Sequence, residues 1–329
     1  MIDFKELNAK ECAERLLKIE NPLVLMHARP DGDTVGAGIA LCEIFKALGK
    51  SPVYISEDKI PKRLEFITGD NELASSFDGK EVVAVDIASP QQAGKILESL
   101  PQPTLMIDHH EVGIPFADYY TVKSLSSAGE AVLNLALELE KMGKIKLTQK
   151  IAYPIYTAIS SDTACFRYSS TNGKTHEMAA ILINTGIDFS DINHRLFNCK
   201  LPEQIKAEGF TSSKIKTAFD GRVAYAEISL KERQALGLDF EYFETAVDVV
   251  RQLFGVEIAF VVKESDKGEI RASLRSLGAN VAKIAEELGG GGHVRAAGCS
   301  PDAKTTEQAS EMILDLIKKH IYLEEFKND

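Results

Sequence analysis

Acidic and histidine side chains follow the ends of several short apolar segments of this chain. Carboxylates and imidazoles that meet at one edge of a sheet are costly to bury together unless a cation compensates them. This arrangement therefore predicts a binding site for divalent metal ions. The predicted ligands are His27, Asp31, Asp33, Asp86, His109 and Asp162.

The loop around Gly32 indicates a site for two ions rather than one. Asp31 and Asp33 flank this glycine, and alternate residues of an extended loop can reach two points a few ångströms apart. Two-metal hydrolases hold their ions roughly 3.5–4 Å apart, and Asp86 is the natural bridging carboxylate. Oxygen ligands with some imidazole favour Mn²⁺ or Mg²⁺ over metals that prefer thiolates, and we expect two Mn²⁺ ions, with Mg²⁺ as the alternative. Any one of these aspartates could instead cap a helix or a turn, but their convergence favours metal.

These residues require a sheet whose strand ends lie side by side. Apolar runs predict strands at 23–26, 52–55, 82–85 and 104–107, and helical spacing predicts helices at 4–19, 34–48, 91–100 and 127–142. Residues 155–160, just before Asp162, are typical of a buried helix. Alternating strands and helices predict a parallel, doubly wound α/β sheet, which binds ligands at the carboxyl ends of its strands.

The second part of the chain has a different pattern and predicts a smaller α/β domain. Strands are expected at 223–228, 256–263 and 270–274, and helices at 280–288 and 305–320. The polar segment 188–210 is typical of a linker with helical pieces. We therefore expect a catalytic domain over 1–187 and a second domain over 211–329.

The metal-binding pattern resembles the successive motifs of the DHH phosphoesterases. The motifs are His27-Ala28-Arg29-Pro30-Asp31-Gly32-Asp33, the single Asp86, Asp108-His109-His110 and Ser161-Asp162-Thr163. The resemblance covers nearly the whole chain. Ala164 stands where the family often has glycine.

The resemblance implies a role for each of these residues. One ion would be held by His27, Asp31 and Asp86. The other would be held by Asp33, Asp86, His109 and Asp162. His110 would face the substrate, Asp108 would support the site from behind, and Arg167 would contact the substrate.

A glycine-rich segment in the second domain indicates anion binding. Four consecutive glycines are unsuited to a solvent-facing helix or strand, but they let a backbone present N–H groups to an anion. Arg271, Ser273 and Arg275 alternate along a predicted strand, so they share one face and suit a phosphate. The alternatives are a flexible linker and a solvated edge strand. The predicted substrate-binding residues are Arg271, Ser273, Arg275, Gly290, Gly291, Gly292 and His293.

The strand Ala272-Ser273-Leu274-Arg275-Ser276 and this glycine run resemble the DHHA1 domain, which grips the nucleotide in one branch of the family. The pair looks most like the nanoRNase and pAp phosphatase group. That implies metal-dependent hydrolysis of short oligonucleotides, of linear dinucleotides such as pApA and pGpG, and of pAp. A RecJ-like single-strand exonuclease, a DHH pyrophosphatase and a non-catalytic nucleotide-binding protein are the alternatives.

Composition narrows the substrate class. The formal net charge of -11 argues against a long basic track for nucleic acid, so substrates of two to about five nucleotides or pAp are expected. Five scattered cysteines without a C-x-x-C pair favour a reducing cytoplasm, and no apolar run is long enough for a membrane span. The sequence is compatible with a homodimer but carries no signal for one.

Overall fold

The computed structural model describes residues 4–322, with side chains to residue 320, and divides the chain into two compact units at Cys199 and Lys200. The first unit contains α1 (Ala9–Lys18), β1 (Pro22–Leu25), α2 (Gly32–Ala47), β2 (Val53–Ile55), α3 (Glu65–Thr68), β3 (Glu81–Val85), α4 (Pro90–Ala93), β4 (Leu105–Asp108), β5 (Asp118–Thr121), α5 (Ala128–Lys141), α6 (Gln149–Asp162), α7 (Gly173–Ile183) and α8 (Phe189–Asn193).

The first unit is built on a five-stranded parallel sheet in the order β2-β1-β3-β4-β5. Strands β1 and β4 are buried along their whole length, as expected for a parallel sheet covered on both faces. One apolar cluster joins α1, α2, α5 and α6 to one face, and a second covers the other. The predicted parallel α/β sheet is thereby confirmed.

The strand order indicates where along the edge of the sheet a ligand is expected to bind. The chain leaves β1 toward β2 on one side and then returns to build β3, β4 and β5 on the other. The topological switch point therefore lies between β1 and β3. Open α/β sheets bind ligands in the crevice outside the carboxyl ends of strands at that point.

Two predicted helices of the first unit differ from the structure. The first begins only at Ala9, where Asn8 caps it, because residues before it run beside β5, with the Leu7 N–H donating to the Tyr119 carbonyl at 2.8 Å. The helix predicted over 91–100 is interrupted at Gly94, whose φ of 82° separates α4 from the 3₁₀ turn Lys95–Ser99. The edge strand β5 has no counterpart in the sequence prediction.

The second unit carries a mixed six-stranded sheet in the order β10-β11-β9-β8-β7-β6, in which only β7 and β8 run parallel. Apolar clusters cover both faces of its central strands. Its elements are α9 (Pro202–Ser213), β6 (Lys216–Ala218), β7 (Val223–Ile228), α10 (Leu230–Leu236), α11 (Ala246–Val250), β8 (Ile258–Glu264), β9 (Ile270–Ser276), α12 (Val281–Glu287), β10 (Gly291–His293), β11 (Ala296–Cys299) and α13 (Thr306–Ile317).

The glycine run corrects one prediction. Residues Gly291–His293 form the edge strand β10, although four glycines had seemed unsuited to a strand. A Cβ added at Gly290 would lie 2.1 Å from the Gly298 carbonyl oxygen, and one at Gly292 would lie 2.6 Å from that of Ala296. These two glycines are therefore needed for close packing against β11. The N–H groups of Gly289 and Gly290 donate to the carbonyls of Glu286 and Ala285, so they do not point at an anion.

The division between the units falls inside the segment 188–210, which contains α8, a π-helical turn at His194–Asn198 and the start of α9. Residue Ala207 of α9 belongs to an apolar cluster of the second unit. Within residues 4–322, no helix combines the length and the apolar character that crossing a membrane would require.

Candidate functional site

The turn from β1 into α2 positions the first three predicted ligands. Asp31 is the N-cap of α2, and its Oδ1 accepts the N–H groups of Asp33 at 3.0 Å and Thr34 at 3.1 Å. The Thr34 hydroxyl accepts the His27 N–H and donates to the Val85 carbonyl, both at 3.3 Å. This hydroxyl therefore ties the end of β1 to the end of β3.

Gly32 is required by the neighbouring helix rather than by the path of its own loop. A Cβ there would lie 2.2 Å from the Ser161 Oγ of α6. The first turn of α2 can consequently approach the end of α6, which carries Asp162. Two predicted ligand groups, far apart in sequence, meet because this residue has no side chain.

Asp86 lies between two histidines at the end of β3. Its Oδ2 is 3.7 Å from the His27 Nε2, and its Oδ1 is 3.6 Å from the His109 Nε2. The residue has a φ of 57°, a left-handed conformation that aspartate adopts more readily than most residues. Its Oδ1 is buried without a hydrogen-bond donor. A single carboxylate thus presents one oxygen to each half of the site.

His109 lies among three carboxylates. Its Nε2 is 3.6 Å from Asp33 Oδ2 and 4.0 Å from Asp162 Oδ2, in addition to Asp86. Its Nδ1 is 3.3 Å from the Leu125 carbonyl, so Nδ1–H donates there and Nε2 remains available as a ligand.

The Asp33 carboxylate is oriented by the start of α5. It accepts the N–H groups of Ala128 at 2.7 Å and Gly129 at 3.0 Å, which belong to the first turn of this helix. Backbone donors at a helix N-terminus favour a negative charge. The fold therefore holds this carboxylate in place before any cation binds.

His110 and Asp108 form a pair beside this cluster. The Asp108 Oδ1 is 2.7 Å from the His110 Nδ1, and that nitrogen is 3.8 Å from Asp86 Oδ1. Hydrogen bonding to Asp108, opposed by burial, raises the pKa of His110 above its usual value. The pair can hold a proton on Nδ1 and leave Nε2 for another partner.

The carboxylates of the cluster repel one another, and burial makes their negative charges more costly. Burial, followed by repulsion from Asp86 and Asp162, raises the pKa of Asp33 well above its ordinary value. Burial likewise raises the pKa of Asp162 to about 6. Burial acts to lower the pKa of His109, but the surrounding carboxylates outweigh it and raise that pKa to about 10. Protonated His109 therefore supplies a positive charge that compensates part of the negative charge of these carboxylates, as a bound cation would.

The geometry and the donors both fit divalent cations. His27, Asp31 and Asp86 bring one ligand atom each to within 4.8 Å of one another, as do Asp33, His109 and Asp162. The buried Oδ1 of Asp86, which has no hydrogen-bond donor, faces His109 of the second group, and its Oδ2 faces His27 of the first. Every residue predicted from the sequence as a metal ligand is therefore part of one cluster, with His110 at its border.

Arg167 follows this cluster on a strained turn that the sequence analysis missed. Ala164, Cys165 and Phe166 have φ values of 48°, 57° and 62°. Arg167 donates from Nε to the Ala164 carbonyl at 2.6 Å, and its guanidinium lies 5.8 Å from the centre of the Phe197 ring. The glycine that the family often has at the position of Ala164 was a signal for this conformation, because glycine readily adopts a positive φ.

The predicted substrate residues of the second unit are only partly brought together. A cavity of about 390 Å³ is lined by Arg271, Ser273 and Gly290, but not by Arg275, Gly291, Gly292 or His293. Arg275 instead donates to the Leu274 carbonyl at 3.0 Å and lies 4.0 Å from Asp248. Lys263 also lines the cavity and was missed, because a lysine at the end of a strand is usually exposed.

Comparison with known proteins agrees with this arrangement. Residues 21–159 match the DHH family, N-terminal domain, and residues 220–319 match the DHHA1 domain. The chain therefore carries a DHH domain followed by a DHHA1 domain. Both domains predicted from sequence motifs are confirmed.

Two curated relatives align with this chain over nearly the whole length of both proteins. The chain is 28% identical to the bifunctional oligoribonuclease and PAP phosphatase NrnA of Thermus thermophilus, over 94% of this chain and 93% of that protein. It is 27% identical to the Bacillus subtilis protein of the same name, over 92% and 96%. Among solved structures, an exopolyphosphatase-related protein from Bacteroides fragilis has a TM-score of 0.85 at 22% identity, covering 94% of this chain and 96% of that one. At that identity the structural likeness supports the fold alone.

Proposed function

We propose that this DHH/DHHA1 protein hydrolyses phosphate esters in short oligonucleotides and in pAp, using two divalent cations. The single observation that carries the proposal is the position of Asp86, whose two oxygens each face a different histidine-carboxylate group. A bridging carboxylate of this kind is characteristic of two-metal hydrolases. The names of the nearly full-length relatives support the substrate class.

The residues of the cluster divide between the two ions. His27, Asp31 and Asp86 would hold one, and Asp33, Asp86, His109 and Asp162 the other. When bound, the ions would lower the pKa of a water toward about 7 and neutralise charge on the phosphoryl oxygens. Oxygen and imidazole donors suit Mn²⁺ or Mg²⁺, and Mn²⁺ is our proposal.

His110 is proposed to contact the phosphoryl group or protonate the departing oxygen. Asp108 holds its Nδ1 at 2.7 Å and so fixes the direction of its Nε2. Hydrogen bonding to Asp108 raises the pKa of His110 and so favours the protonated imidazole, the form that a general acid requires. Arg167 and residues of the second unit are proposed to bind the rest of the nucleotide.

The rival functions of the family share the metal ligands but differ in what they need elsewhere. An inorganic pyrophosphatase has no use for a nucleotide-binding DHHA1 domain. An exonuclease that tracks long single strands gains affinity from many phosphate contacts, which a net charge of -11 opposes. A non-catalytic binding protein has no need for a complete ligand set, and each predicted ligand is part of the cluster.

The test offers the purified protein with Mn²⁺ a set of substrates side by side: pApA, a short RNA oligonucleotide, pAp, pyrophosphate and long single-stranded DNA. We expect the first three to be hydrolysed in preference. Preference for pyrophosphate or for long DNA would refute the substrate class. Asp86→Ala should abolish turnover, while Asp78→Ala, at an exposed position outside the cluster, should leave it unchanged.

A further inference from the structure

A buried carboxylate in the first turn of α5 has no part in the metal cluster. Glu130 is only 1% exposed. Its Oε2 accepts the Ser126 N–H at 2.8 Å, whereas its Oε1 is buried without a hydrogen-bond donor. Among residues 4–320, it belongs to none of the groups of side chains that could hold a metal ion. Burying a carboxylate with one oxygen unpaired is costly, so the position of Glu130 needs an explanation.

Ordinary helix capping does not explain this side chain. In a capping box, the third residue of a helix accepts the N–H of the N-cap residue itself. Glu11 does this in α1, where it accepts the N–H of the N-cap Asn8 at 3.0 Å. Glu130 has the same position in α5, but it accepts the N–H of Ser126, which precedes the N-cap Ser127. It therefore holds a peptide group that lies outside the helix.

The peptide group that Glu130 holds also contacts His109. This peptide joins Leu125 to Ser126, so its N–H donates to Glu130 while its carbonyl oxygen lies 3.3 Å from the His109 Nδ1. Two hydrogen bonds through one peptide therefore connect the carboxylate to an imidazole whose Nε2 faces the predicted metal ligand Asp33. Hydrogen bonds in such a chain polarise one another, so an N–H that donates to a carboxylate makes its carbonyl a better acceptor.

The same short segment orients a second residue of the cluster. The N–H groups of Ala128 and Gly129 donate to the two oxygens of Asp33, at 2.7 and 3.0 Å. Residues 125–130 therefore direct two members, Asp33 and His109, of the group that Asp162 completes. By holding the peptide at the beginning of this segment, Glu130 acts on one half of the cluster.

We propose that Glu130 is a positioning residue for the metal site, which acts through the Leu125–Ser126 peptide to hold His109 with its Nε2 directed at the second ion. Groups that accept the free N–H of a metal-binding histidine fix the direction of its ring and make the coordinating nitrogen more basic. The inference rests on the two-ion site of the proposed function, but it does not depend on the substrate. It gives a reason for keeping a buried carboxylate with one unpaired oxygen at this position.

Metal binding tests this role without hydrolysis. The full-length protein is titrated with Mn²⁺, and the free ions are counted by their electron paramagnetic resonance signal. The wild type should bind two ions. Glu130→Ala should bind one of them as the wild type does and the other roughly tenfold to hundredfold more weakly, as is typical when the partner behind a metal ligand is lost. Equal affinities for both ions in the two proteins would overturn the inference.

Two further variants separate positioning from helix capping. Glu11→Ala removes the carboxylate at the same position of α1 and is the matched control: it should lower the free energy of unfolding but leave both Mn²⁺ affinities unchanged. Glu130→Gln keeps an oxygen that can accept the Ser126 N–H, so it should restore most of the affinity that Glu130→Ala loses. A loss of equal size in Glu11→Ala, or no recovery in Glu130→Gln, would refute the positioning role.

If Glu130→Ala is poorly folded by its thermal unfolding curve in a chelator, Glu130→Asp replaces it. This variant keeps the charge but shortens the side chain by a methylene, so its carboxylate no longer reaches the Ser126 N–H, and it should bind the second ion several-fold more weakly. Unchanged binding would count against the inference.

Hydrolysis assays distinguish failure of this inference from failure of the proposed function. If Glu130→Ala loses affinity for the second ion as expected but the wild type hydrolyses neither pApA nor pAp, the proposed function fails and the positioning role stands. If the wild type hydrolyses them and Glu130→Ala binds both ions normally, the positioning role fails and the proposed function stands.

Discussion

Replacing Asp162 with asparagine should stabilise the metal-free protein and weaken the metal-bound one. Burial, with repulsion from Asp86 and Asp31 and opposed by His109, raises the pKa of Asp162 from 3.8 to about 6. A shift of roughly two units corresponds to at most about 3 kcal/mol. Because the side chain is 38% exposed, solvent screening reduces this to about 1 kcal/mol.

The sign of this effect follows from proton binding. A carboxylate whose pKa is raised on folding binds its proton more tightly in the folded state. The folded protein is therefore penalised above about pH 6, and the penalty is small near the unfolded pKa of 3.8. Asp162→Asn should raise the free energy of unfolding in a chelator by about 1 kcal/mol at neutral pH, and the gain should shrink as the pH falls toward about 4.

Bound metal should make the wild type more stable than Asp162→Asn. At about 100 times its dissociation constant, an ion stabilises the wild type by about 2.7 kcal/mol. Asp162→Asn should gain less, because the group of Asp33, His109 and Asp162 has lost a charged ligand. Chemical denaturation with and without Mn²⁺ measures both differences, and Asp78→Asn at an exposed position is the control. The reasoning would be refuted if Asp162→Asn were less stable than the wild type in chelator. It would also be refuted if Mn²⁺ raised the free energy of unfolding of the variant as much as that of the wild type.

Three further substitutions test the fold in thermal or chemical unfolding. Asn8→Ala removes the capping box between Asn8 and Glu11 and should cost about 1 kcal/mol, whereas full stability would show that the cap is dispensable. Ala164→Gly should stabilise the protein by about 0.5–1 kcal/mol, because φ is 48° there; a loss would mean that the methyl group packs usefully. Gly36→Ala should cost about 1–3 kcal/mol, since the added Cβ would lie 2.5 Å from the Pro154 carbonyl oxygen, and a neutral result would show that α2 and α6 can separate.

Local chemistry explains why so much of the first unit could be predicted. Strands β1, β3 and β4 are short continuous apolar runs, and a predicted ligand follows each of them. A strand that is buried on both faces of a parallel sheet has this apolar pattern whatever its neighbours are, so it can be recognised from the sequence. The metal cluster was predictable for the same reason, since strand ends of one sheet share an edge. The helix at 91–100 was not, because Gly94 looks the same in the sequence whether or not it breaks a helix.

Long-range packing decided the features that the sequence analysis missed. The left-handed turn at Ala164–Phe166 has no glycine to mark it, and the strand β10 exists because Gly290 and Gly292 fit closely against β11. Gly290 and Gly292 therefore serve close packing against β11, and the cationic side chains of Lys263 and Arg271 line the cavity beside Gly290.

The sequence by itself determined which side chains could bind metal, because residue type and position after a strand are properties of the chain. Only the tertiary structure decided how they divide, since the two oxygens of Asp86 face different histidines only when β1, β3 and β4 are aligned. It also decided that Lys263 is buried, because burial depends on what other segments cover. The type of each ligand side chain is set by the local sequence, but the distances between side chains and the extent of their burial depend on the whole fold.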